Sequence, residues 1–167
     1  MQKLLLLPIS SIIYLNIFFM LNNKHVIIYT LNKNTTLLLK FLSVMVSLFS
    51  FLEHFVNDFL YESVLPDAPR GQLTEWLTFI DRFFGINMFL LTLIIFIMNF
   101  RDRIKIIINN KIVFIFMIST LYINDFTSIR TYYMDFYIFN HIIWHLSSYN
   151  CISLILFPPL EIYNYKI

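Results

Sequence analysis

The sequence predicts an all-α protein, a single transmembrane domain over residues 1–167 built as a polytopic bundle of about five spanning helices. Two observations predict it. The first is composition: 59% of the residues are hydrophobic and only 13% are charged, with a mean hydropathy of +0.72. A soluble domain carries roughly 45–50% apolar residues and about twice this share of charge. The second is the grouping of the apolar residues into long runs, because roughly 20 of them in a helix cross the hydrocarbon core of a bilayer.

The runs come in order. The first covers residues 4–21. It could pass for a secretory signal, with Lys3 ahead of an apolar core, but Asn22, Asn23 and Lys24 follow it instead of a small-residue cleavage site, so a retained helix is expected. The second covers 37–60, with polar residues gathered near its end, and the third covers 77–100, with Asp81 and Arg82 near its start. A weaker run over 104–124 is interrupted by Lys105 and Lys111. The last, 136–160, has no formally charged residue and ends at Pro158–Pro159, which suits a helix stop.

Five spans impose alternation. One side then holds Lys24, Lys33, Lys40, Arg101, Arg103, Lys105, Lys111 and Lys166, and the other holds Lys3, Arg70, Arg82 and Arg130. The richer side is expected to be cytoplasmic by the positive-inside rule. That gives a multi-pass protein with a lumenal or extracellular N-terminus and a cytoplasmic C-terminus. The net charge is +2 and the basic residues are scattered, so no nucleic-acid partner is expected. The single Cys151 excludes an internal disulfide framework and a multi-cysteine metal site.

Ionisable groups inside spans point to function. Ser50 and His54 stand four apart in "SFLEH" and share a helix face. Asp58 continues that face one turn on, where it is expected to be a solvated surface acid. Asp81 lies one turn inside the third run, in "LTFIDRFFG". His141 and His145 stand four apart in "HIIWHLSS". Alternation puts all five groups at one depth, in the outer leaflet. Three histidines at one depth suit zinc, whose catalytic sites keep three protein ligands and an open position. Two histidines at i, i+4 on one helix can grip one ion. Asp81 could accept a proton, and Ser50 could donate a hydrogen bond to a developing oxyanion. Plainer roles compete. The paired histidines could bond across helices, Ser50 could bond back to its preceding turn, and Asp81 could pair with Arg82 or Arg130 or cap its helix. Trp76 and Trp144 suit interfacial belts. A bis-histidine haem bundle is a further alternative, although it has no use for Ser50 or Asp81.

At these residues the chain resembles the CREST superfamily of membrane hydrolases, which includes alkaline ceramidases and progestin/adipoQ receptors. Its pattern, Ser-x3-His, then Asp, then His-x3-His, reads here as Ser50–His54, Asp81 and His141–His145. "KLLLLPISSIIYL", "LTFIDRFFG" and "HIIWHLSS" with the later "LILFPP" look most like the branch of myomaker-like fusion proteins and glycosylphosphatidylinositol-directed phospholipases. The resemblance implies Zn2+ held by His54, His141 and His145, with Ser50 and Asp81 catalytic, and hydrolysis of an amide or ester bond in a membrane lipid. The family has seven spans, whereas the stretch between Phe100 and Phe136 has room for one or two. The myomaker-like members imply an alternative, a non-catalytic protein of membrane remodelling or a membrane-complex subunit.

Overall fold

The computed structural model describes residues 5–22, 31–64, 71–124 and 134–157. Lys3, Asn23, Lys24, Arg70, Arg130, Pro158, Pro159 and Lys166 lie outside the described residues. Every element among the described residues is helical: α1 (Leu6–Ser11), a 3-10 turn (Ile12–Tyr14), α2 (Leu15–Asn22), α3 (Lys33–His54) running into a π-helical segment (Phe55–Val64), α4 (Gln72–Met98), α5 (Phe100–Asn109), α6 (Lys111–Asn124) and α7 (Met134–Leu156).

Local chemistry sets the boundaries. Pro8 sits in the first turn of α1, where a missing N–H breaks no helical bond. Ser10 and Ser11 both donate back to the Leu7 carbonyl, and the tighter 3-10 turn follows directly. Asn32 caps α3 by accepting from the Thr35 backbone N–H at 2.8 Å. Lys40 donates to Asn22 at 2.7 Å, tying the end of α2 to the start of α3.

The run over 104–124 is not one continuous helix. It is split at Asn110, and α5 is also cut from α4 at Asn99. Each asparagine leaves helical geometry (φ −118°, ψ 27° and φ −112°, ψ 26°) while its side chain donates to the carbonyl four residues back. A side chain that competes with the backbone ladder in this way favours an end over a continuation. Among the described residues the two pieces cover 10 and 14 residues, about 15 and 21 Å at 1.5 Å per residue. Among the described residues, two helices, Lys33–Glu62 and Gln72–Met98, are long and apolar enough to cross a membrane. The first helical run, Leu6–Asn22, is apolar but shorter. α7 has 23 residues, but its histidines, asparagines and serines dilute it.

Contacts fix the relative sense of the helices. Leu7 packs with Ile138, Tyr14 meets His145, and Tyr149 donates to the Met20 sulfur, so the α1–α2 run and α7 are parallel. α3 runs against them: Ser47 bonds to Ser11 and Lys40 to Asn22. Leu21, Leu39, Leu42, Ile95, Ile152 and Leu156 share one apolar cluster at the far end of the bundle. α4 lies along α3, and α6 along α7.

Polar side chains share the interior with apolar ones, and a whole apolar face is left exposed. Ser11, Ser43, Ser47, Ser50, His54, Thr92, Asn140, His145 and Ser147 are buried. Phe79, Phe83, Ile86, Leu90, Leu93 and Ile97 are exposed, at the spacing of a single face of α4. The serines let α3 approach α1 closely, and the Ser47 hydroxyl donates to the Ser11 carbonyl at 2.9 Å. Ser47→Leu overfills this contact. It is expected to destabilise the bundle by about 1–3 kcal/mol, read as a lower unfolding midpoint of the purified protein.

Candidate metal centre

The buried face of α3 carries Ser43, Ser47, Ser50 and His54, at the i+3/i+4 spacing that aligns side chains on a helix. His54 is its last residue, and the wider π turns begin at Phe55. Such turns are rare and frequently occur at functional sites. Asp58 and Glu53 both reach the His54 Nδ1, at 2.7 and 2.9 Å. A ring nitrogen facing two carboxylates carries the proton, so the Nε2 lone pair of the neutral ring points the other way.

What it points at is α7. His54 Nε2 lies 2.9 Å from His141 Nε2 and 3.3 Å from His145 Nε2. The three ligand atoms all lie within 4.8 Å of one another. His54 and His145 are buried and His141 is half-buried. One imidazole lone pair makes one good hydrogen bond, so it does not serve two N–H donors equally well. A shared cation satisfies all three nitrogens at once. Ligands about 2.0–2.1 Å from a tetrahedral metal stand roughly 3.3–3.4 Å apart, close to the separations observed. The donor set therefore fits a metal ion.

Ser50 and Asp81 join this centre from α3 and α4. Ser50 is buried, and the Asp81 carboxyl is near enough to Ser50, His54 and Glu53 to feel them electrostatically. The structure thus brings the three histidines together, with the Asp81 carboxyl within electrostatic range of His54. A haem does not fit the same nitrogens: two axial imidazoles must face each other across a porphyrin, and these rings converge with no slot between them.

One expectation is corrected. Asp58 is not a solvated surface acid; it is 2% exposed, because the His54 ring draws it inward. Trp144 packs against His141 and His145, with centroids 5.6 and 5.0 Å away. Trp76, by contrast, is 61% exposed at the start of α4. Glu53, Asn57, Thr78 and Tyr14 were not legible as parts of the site. Glu53 Oε1 accepts from Asn57 at 2.9 Å and from Thr78 at 3.1 Å, and Asn57 donates to Thr78 at 3.0 Å. Buried Tyr14 sets its ring edge-on to His145, with centroids 5.7 Å apart, and its hydroxyl interacts with Ser148. For Asp58 the signal was present, since it stands four residues after His54.

Comparison of the chain with protein-family models, with curated proteins and with solved structures gives no match.

Thr78 is the link from α4 to the Glu53 carboxylate. Thr78→Val removes that bond with little change of shape and is expected to cost about 0.5–1.5 kcal/mol. A double-mutant cycle with Asn57→Ala should show non-additivity, because both side chains bond the same Glu53 oxygen.

Proposed function

We propose that this chain is a zinc-dependent, integral-membrane lipid hydrolase of the CREST type, with the metal held by His54, His141 and His145. The single observation that carries the proposal is the convergence of three Nε2 atoms from two helices, 87 and 91 residues apart in the chain. Charge supports it too. Two carboxylates lean on one imidazole, and a single imidazolium would offset one of them, whereas a divalent cation beyond the ring offsets both.

When bound, zinc supplies Lewis acidity, polarising a carbonyl or phosphoryl oxygen and acidifying water. The chain's own groups supply the rest. In this reading a carboxylate oxygen of Asp81 takes up a proton, and the Ser50 hydroxyl orients that carboxylate or donates to a developing oxyanion; the electrostatic proximity of Asp81 to His54 supports it. The substrate class is a membrane lipid with an amide or ester bond. Membrane residence is supported by two helices long and apolar enough to cross and by the exposed apolar face of α4. We assign a multi-pass topology with the centre and N-terminus on the lumenal or extracellular side and the C-terminus in the cytoplasm. The excess of Lys and Arg on the side of Lys33, Lys40 and α5 supports that orientation.

A second reading is a metal that is structural in a non-catalytic membrane-remodelling protein or complex subunit; the short stretch between Phe100 and Phe136, with room for one or two spans, favours it.

Purified protein should contain about one zinc per chain, and His145→Ala should lose it; normal zinc in that variant would sink the metal assignment. Ser50→Ala and Asp81→Ala should keep the metal and abolish turnover, read as accumulation of the substrate lipid in a lipidomic comparison. Unchanged lipids in both variants, with wild-type protein still required for membrane remodelling, would select the non-catalytic reading.

A further inference from the structure

We infer that Glu53 and Asp58 form a paired positioning device for His54, one that sets its tautomer, gives the centre its preference for a divalent cation and ties it to α4. The inference rests on the metal reading above and names groups that the Ser-x3-His, Asp, His-x3-His pattern does not contain.

Both carboxylates address one atom, the Nδ1 of His54. Their joint demand for a proton there leaves Nε2 as the bare donor, and their negative charge makes that donor a better ligand. His145 has no such support: its Nδ1 is buried without a hydrogen-bond partner among the described residues. His54 is therefore a ligand whose orientation is built in, and the α7 histidines meet it. Glu53 is held in turn, its other oxygen bonded by Asn57 and Thr78. Thr78 stands three residues before Asp81 on α4, so the same network sets the level of Asp81 against His54. Two carboxylates also carry two negative charges against the two positive charges of a divalent ion, so a monovalent ion would leave one uncompensated.

The test is a zinc titration of the full chain in detergent, stripped of metal and read by competition with a chromophoric chelator. Glu53→Gln and Asp58→Asn preserve shape but remove charge. Each can also turn an NH2 toward Nδ1, which favours the tautomer whose Nε2–H cannot ligate. Each is expected to weaken zinc binding by about 10- to 100-fold, and the double variant by more. The absorption bands of the cobalt-loaded protein should shift in the same variants. The unfolding midpoint of the metal-free protein separates a lost ligand from a lost fold. Should a carboxylate variant fail to fold, Thr78→Val loosens Glu53 without touching either acid and should weaken zinc in the same direction.

Wild-type affinity in the foldable variants, with an unshifted cobalt spectrum, overturns the inference and leaves the metal reading intact. A wild-type chain that binds no more zinc than His145→Ala overturns the metal reading itself.

Discussion

The His54 ring is the joint on which the arrangement of this bundle turns. One of its nitrogens is gripped by carboxylates from its own helix and the π turns beyond it, and the other meets two imidazoles from α7. A planar ring with two donor positions has little freedom once both are engaged. The end of α3, the start of α7 and the start of α4 are consequently held at one level. Thr78 and Asn57 bring α4 into that grip through Glu53, and Tyr14 adds the first helical run through its edge-on contact with His145.

Such a knot demands that the helices approach closely, and the rest of the fold provides for it. The α3 face leading to His54 is made of serines, whose small side chains admit α1 at hydrogen-bonding distance. Polar groups are drawn inward while aromatic and branched side chains face out along α4. Hydrophobic burial alone would not produce that pattern. In lipid it is the expected one, since tails solvate apolar side chains as well as a core does and helices gain from polar and close-packed contacts. The charge logic agrees: acids this deep are stable only beside groups that donate to them or balance them.

Much of the centre was legible along the chain. Ser50 with His54, and His141 with His145, share faces by the i, i+4 rule, and alternation of the expected spans places Asp81 at their depth. Asp58 was on the same face and was still assigned to solvent, because its position near the end of an apolar run suggested an interface. What moved it inward was a partner, the His54 Nδ1, and a partner's direction is not written in spacing. Glu53 and Thr78 were less legible, since they meet across two helices 25 residues apart. The break at Asn110 was also hidden. Hydropathy averages over a window, whereas one asparagine bonding to the carbonyl four residues back suffices to end a helix.

Composition and periodicity thus sufficed for helices, for an apolar exterior and for which histidines share a face, because these follow from residue type and from 3.6 residues per turn. Three matters waited on the packed chain: which imidazole nitrogen faces the others, which acids stand behind His54, and where the stretch over 104–124 divides. Each depends on the direction of a side chain's hydrogen bonds. Those directions exist only once helices distant in sequence have come within about 3 Å of one another.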